Sequence, residues 1–172
     1  DLGVASGLTN LRLLLMLDNM PIGKTKSTFM NLALEEARAA GARGEVPIGA
    51  VIVDGVGKIL AQAGNRTEEL SDPTAHAEME VIRQACAIRS APRLPDCIIY
   101  VTLEPCPMCA AAISFARLGR LYYGAPDPKG GGVEHGPRIF HQATCHHRPE
   151  LYPGIGEDEA AALLRGFFQD RR

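Results

Sequence analysis

Cys97-Ile98-Ile99-Tyr100-Val101-Thr102 is the stretch that most limits the fold. It is apolar without interruption, where a half-solvated strand would alternate, and strands of this kind are covered on both faces. A sheet with helices on either side is therefore required. The flanking segments supply them. Phe29, Met30, Ala33, Leu34 and Ala37 recur at helical spacing, with Gly41 and Gly44 as the stop. Pro47 to Val53 and Lys58 to Ala63 read as a hairpin around Asp54-Gly55-Val56-Gly57. Asn65 to Asp72 reads as a polar loop, and Asp72-Pro73-Thr74 as the opening of a second helix whose stripe is Met79, Val81, Ile82 and Ala85. After the apolar strand come a small-residue helix, Met108 to Phe115, and a strand, Arg120 to Gly124. Pro126 to Gly136 is expected to be a long surface loop, and Gly154 to Arg172 an amphipathic helix. This order gives an α/β fold, a central sheet covered by helices.

With 172 residues the chain can bury one real core. Its hydrophobic share of 46% and charged share of 22% exclude a disordered chain or a coiled coil. A net charge of −2 argues against a general polyanion-coating protein and leaves room only for a local basic patch. The absence of Trp and an aromatic share of 5% speak against an aromatic-platform binder. Five cysteines, an odd and modest number, suit intracellular thiols or metal ligands better than a disulfide framework.

Residues 1–29 read differently. Leu11, Leu13, Leu14, Leu15 and Leu17, broken by Arg12, form an apolar run that is too short for a bilayer span of about 20 residues. It also lacks the flanks of a signal peptide. These residues are expected to be an extension, with the domain covering 30–172 and Met30 as its natural start. Nothing in this reading calls for a membrane, and the chain is expected in the cytoplasm.

Two short stretches carry chemistry: His76-Ala77-Glu78, at the start of a helix, and Pro105-Cys106-Pro107-Met108-Cys109, where a strand gives way to a helix. One His and two Cys suit zinc. The Cys-x-x-Cys spacing turns both sulfurs toward one point, and the positive helix end favours thiolates. Three protein ligands leave a fourth position for water, the mark of a catalytic site, and Glu78 can sit beside that water without binding the metal. A redox pair is the rival reading of Cys-x-x-Cys, but it has no use for a distant His-x-Glu. A structural zinc site would need a fourth ligand; Cys86, Cys97 and Cys145 read instead as core or surface residues. The combined pattern is the signature of zinc-dependent nucleobase deaminases.

Further stretches narrow this. Glu45-Val46-Pro47-Ile48-Gly49-Ala50-Val51, Gly64-Asn65-Arg66, Asp72-Pro73-Thr74-Ala75 before His76, Tyr100 to Cys109, and Gly124-Ala125-Pro126-Asp127-Pro128-Lys129 keep their order along most of the chain after residue 30. On these the chain resembles the bacterial tRNA-specific adenosine deaminases, within the cytidine and deoxycytidylate deaminase superfamily.

The resemblance implies the cytidine deaminase-like fold, a mixed sheet of about five strands between helices, and commonly a homodimer. It implies one zinc ion per subunit on His76, Cys106 and Cys109, and zinc-activated water with Glu78 as proton shuttle. The reaction would be hydrolytic deamination of adenosine to inosine at the wobble position of a tRNA anticodon stem-loop. Asn65 would contact the flipped nucleoside, Pro47 would wall the base pocket, and Ala77 would line the substrate. Lys129, Arg138 and Arg148 are candidate phosphate contacts. His146-His147-Arg148 stands where the family usually has Asn-His-Arg, so His146 departs from the pattern. The alternatives are a deaminase of a free nucleobase or nucleoside, guanine or cytosine type, on the same fold, and a non-enzymatic zinc scaffold.

Overall fold

A computed structural model describes residues 22–171. The part of the expected extension before Ile22 lies outside the described residues. Helix α1 (Ile22–Ala42) leads to the hairpin β1 (Gly49–Val53) and β2 (Ile59–Gly64), then to the single turn α2 (Thr67–Leu70) and to α3 (Ala77–Arg89). Strand β3 (Ile98–Leu103), α4 (Pro107–Phe115) and β4 (Arg120–Ala125) follow. A short 3-10 turn (Ile139–His141), β5 (Glu150–Tyr152) and α5 (Glu157–Gln169) complete the fold. The sheet order is β2-β1-β3-β4-β5, and β3 is antiparallel to β1 but parallel to β4. The expected mixed five-stranded sheet between helices is present.

Strand β3 shows why its sequence does not alternate. Ile99 and Val101 join Val81 and Ala85 of α3 and Ala110 and Ile113 of α4 in one core. Tyr100 faces the other way, into a core with Met30, Ala33 and Leu34 of α1 and Ala160 of α5. On that second face Tyr100, Tyr122 and Tyr152 stack in a row, with neighbouring ring centroids 4.8 and 4.5 Å apart, and Phe29 leans on Tyr100 at 5.4 Å with its ring tilted by 50°. These four rings thus pack in and against one core. Helix α1 sits so close to β1 that a Cβ on Gly49 would fall 2.0 Å from the Ala33 carbonyl.

Five local expectations change. Helix α1 begins at Ile22, and so runs through the residue-30 boundary drawn from sequence. Helix α3 begins at Ala77 and not at Asp72. The Asp72 carboxylate accepts Thr74 N–H at 2.8 Å and the Thr74 hydroxyl at 2.7 Å, a local turn that competes with capping a helix. Within the polar Asn65–Asp72 stretch the chain makes the α2 turn. Strand β5 was not legible because three residues carry no periodicity. The Pro126–Gly136 loop is only half surface: Gly131, Gly132 and Val133 are buried.

Candidate active site

The two helices that pack together on one face of the sheet, α3 and α4, bring the sequence motifs into contact through their N-termini. His76 is the residue before α3 and Cys106 the residue before α4, both in extended backbone. Pro107 opens α4, which costs nothing where the first N–H groups have no helical partner. Cys109, one turn further on, is fully buried.

His76 Nδ1 lies 3.6 Å from Cys106 Sγ and 3.5 Å from Cys109 Sγ, and all three ligand atoms fall within 4.8 Å of one another. With metal–ligand bonds of about 2.3 Å to sulfur and 2.1 Å to nitrogen, a tetrahedral zinc site has N···S edges of about 3.6 Å. The donor set therefore fits zinc in chemistry and spacing. Cys86, Cys97 and Cys145 are free and stand outside this group.

The charges shift one another. The hydrogen bond from Cys109 pulls Cys106 down to about 4, helped by His76, and the shared proton stays on Cys109, which is pushed up. His76 is raised in turn by its hydrogen bond to Cys106. Glu78, the second residue of α3, is buried, and that burial pushes its carboxyl up to about 7, with the Cys106 charge adding to the effect. Cys106 is thus already a thiolate near neutral pH, and beside it stands a carboxyl group able to exchange a proton there.

Asn65 joins the same site from the end of β2. Its N–H donates to the Ile48 carbonyl at 3.0 Å, and its side-chain oxygen accepts the Ala77 N–H at 2.8 Å. Because that carbonyl faces a donor, the Asn65 NH2 points elsewhere, and no partner takes it among the described residues. Ala77 is fully buried, and its N–H ties Asn65 to the turn that carries His76. Pro47 is buried one residue before Ile48.

The candidate phosphate contacts are more scattered. Lys129 is exposed in the loop after β4, Arg138 precedes the 3-10 turn, and Arg148 precedes β5. None makes a side-chain ion pair among the described residues. By contrast Arg38 on α1, Arg43 just after it, Arg66 before α2, and Arg83 and Arg89 on α3 are all paired with carboxylates. His147 donates from Nε2 to the Leu118 carbonyl at 2.6 Å, whereas His146 offers only its backbone carbonyl, to Arg117. The His146 ring, where the family pattern has Asn, is left in solvent beside a cavity of about 160 Å³ that Arg93, Arg117 and Phe115 also line. A separate cavity of about 300 Å³ lies on α5, lined by Leu164, Arg165, Phe168 and Gln169.

Two buried glutamates escaped the sequence reading. Glu45 accepts Glu68 and Glu69 N–H groups and the Thr67 hydroxyl, pinning α2. Glu104 pins the loop after β4. The available signal was position: Glu104 directly follows a strand that is buried on both faces.

The sequence model of the cytidine and deoxycytidylate deaminase zinc-binding region matches residues 23–125. A tRNA-specific adenosine deaminase from Agrobacterium fabrum is 61% identical over 147 residues, 86% of this chain and 96% of that protein. This chain belongs to the tRNA-specific adenosine deaminase family. Another member, from Bacillus subtilis, is 42% identical over 144 residues, 84% of this chain and 89% of its own length. A solved tRNA A34 deaminase, from work on A-to-I editing at the wobble position of transfer RNA, is 63% identical with a TM-score of 0.78. The match covers 80% of this chain and 99% of that one. The guanine deaminase from Nitrosomonas europaea (22% identity, TM-score 0.70, 82% of this chain and 83% of that one) shares the deaminase fold. Among the described residues no helix is long and apolar enough to cross a membrane.

Proposed function

We propose that this member of the family converts adenosine to inosine at the wobble position of a tRNA anticodon loop, by hydrolysis. The observation that carries the proposal is the meeting of His76, Cys106 and Cys109 beside buried Glu78, in a chain so close to named tRNA deaminases. His76 Nδ1 and the two sulfurs would hold one zinc ion per subunit. Zinc so held supplies a Lewis acid that brings the pKa of water to about 7.

The chain's own residues account for the proton traffic. Glu78, poised near neutrality, takes a proton from the attacking water and passes it to ring N1 as C6 is attacked, then takes the proton of the new C6 hydroxyl and gives it to the amine as the C–N bond breaks. Water is consumed, ammonia leaves, and inosine remains. The free NH2 of Asn65 is available to the flipped nucleoside, with Pro47 beside it. An anticodon loop offers its base without duplex unstacking, which costs a few kcal/mol. The unpaired cations Lys129, Arg138 and Arg148 would meet phosphates, so affinity for RNA should fall steeply with salt. Phe115, 79% exposed on α4, supports a homodimer through that face. The reaction belongs where tRNA is, in the cytoplasm.

The test is an anticodon stem-loop with adenosine at the wobble position, sequenced for inosine, with Glu78→Ala beside it and free adenosine, cytosine and guanine in parallel. Inosine at that one position, lost in the variant, is the expected result. Ammonia from a free base with the RNA untouched would replace this reading with the free-base deaminase. Replacing Lys129 or Arg148 by Ala should lower the salt slope of binding by about one each.

A further inference from the structure

Glu104 takes no part in the proton transfers above, yet its carboxylate collects five hydrogen bonds. It directly follows β3, two residues before Cys106, and its side chain is completely buried. Oε2 accepts the Asp127 N–H at 2.9 Å and His135 Nδ1 at 2.7 Å. Oε1 accepts the N–H groups of Val133, Glu134 and His135 at 3.2, 2.8 and 3.0 Å. All five donors belong to one loop, Asp127–His135, which is thereby drawn into a closed ring, with Gly131 N–H on the Asp127 carbonyl at 2.9 Å.

The inner edge of that ring presses on the turn that carries a metal ligand. Gly132 N–H donates to the Pro105 carbonyl at 2.8 Å. A Cβ placed on Gly132 would lie 2.6 Å from Pro107 N and 2.9 Å from the Cys106 carbonyl carbon. The Cys106 backbone is thus held between α4 on one side and a glycine that leaves no gap on the other. We propose that Glu104 is a positioning residue for Cys106: by gathering the Asp127–His135 loop it clamps the Pro105–Pro107 turn and keeps the Cys106 sulfur in the ligand triangle. The inference rests on the zinc reading of His76, Cys106 and Cys109. Residues that orient ligands from outside the coordination shell typically change metal affinity 10–100-fold when removed.

The readout is the rate at which zinc-loaded protein releases its ion to an excess of chromophoric chelator, well below the melting temperature. Glu104→Gln leaves one side of the amide unable to accept, and is expected to release zinc about tenfold faster. Gly132→Ala keeps the carboxylate but wedges the loop off the turn, and should act in the same direction; it decides the matter if Glu104→Gln does not fold. Leu34→Ala weakens the core on the opposite face of the sheet, so it should lower the melting temperature and leave the release rate unchanged. Wild-type release in both loop variants overturns the inference, and so does an equal acceleration in Leu34→Ala. His76→Ala separates the two layers. Zinc retained there would remove the zinc reading and this inference with it. Zinc lost there, with unaltered release in both loop variants, would remove this inference alone.

Discussion

Glu78 and Glu104 are the same residue type, both buried, each two residues from a side chain in the ligand triangle, and their carboxyl groups move in opposite directions. Burial lifts Glu78 to about 7. Burial would lift Glu104 too, but the N–H groups of Asp127 and His135, the His135 ring and Glu134 outweigh it and hold the carboxyl below its ordinary value. Depth therefore does not set the charge state of a buried carboxylate; the number of donors aimed at it does. The donor-poor glutamate is able to move protons near neutral pH, and the donor-rich one is held as an anion there and serves to hold structure.

Identical substitutions should separate the two. Glu78→Gln is expected to cost at least about 100-fold in turnover, because general acid–base catalysis contributes that much or more. Single-turnover inosine formation measures it, and near wild-type turnover would remove Glu78 from the mechanism. The effect on stability should run the other way round. Glu104→Gln strands buried donors and should cost roughly 1–3 kcal/mol, while Glu78→Gln relieves a buried carboxyl and should leave stability unchanged or raised. Urea denaturation of both variants decides this, and an equal loss in the two would erase the contrast.

The pH dependence of the metal-free protein sharpens the same point. The native state holds the Glu78 proton up to about 7 while an unfolded glutamate loses it near 4.5. Glu78 therefore makes stability decline as pH rises from about 4.5 to 7. Glu104, with its lowered value, contributes stability that is present above the ordinary value of 4.5 and is lost as pH falls through its native value below that. Chemical denaturation at a series of pH values should show the decline between 4.5 and 7 disappear in Glu78→Gln and the acid loss shrink in Glu104→Gln. The smallest effect expected is that of His135→Ala. It removes one donor of five from a half-exposed ring, for about 1 kcal/mol or less. A cost as large as that of Glu104→Gln would mean that the ring, and not the backbone N–H groups, holds the loop.

Much of this was legible in the residues. The unbroken apolar run of β3 required cover on both faces, and helix-period patterns supplied it. His76, Cys106, Cys109 and Glu78 were readable because soft ligands and a carboxyl group at those spacings have few other uses. The start of α3 was misplaced because Asp72 can serve a turn as readily as a cap, and the choice was made by Asn65, twelve residues from the Ala77 N–H it accepts. Strand β5 was too short to show. Glu104 stood in a stretch that carries the family resemblance, but its structural role was not legible because its partners lie 23 to 31 residues further on.

What the sequence determined alone was therefore which side chains would meet: local spacing places His76, Cys106 and Glu78 at helix starts, with Cys109 one turn further on. Which carboxyl group would hold its proton up toward neutral pH, which would be held as an anion, and which half of a glycine-rich loop would turn inward were decided only by the tertiary structure. Those properties depend on donors brought from distant segments and on water excluded by packing, and neither is written in any short stretch of the chain.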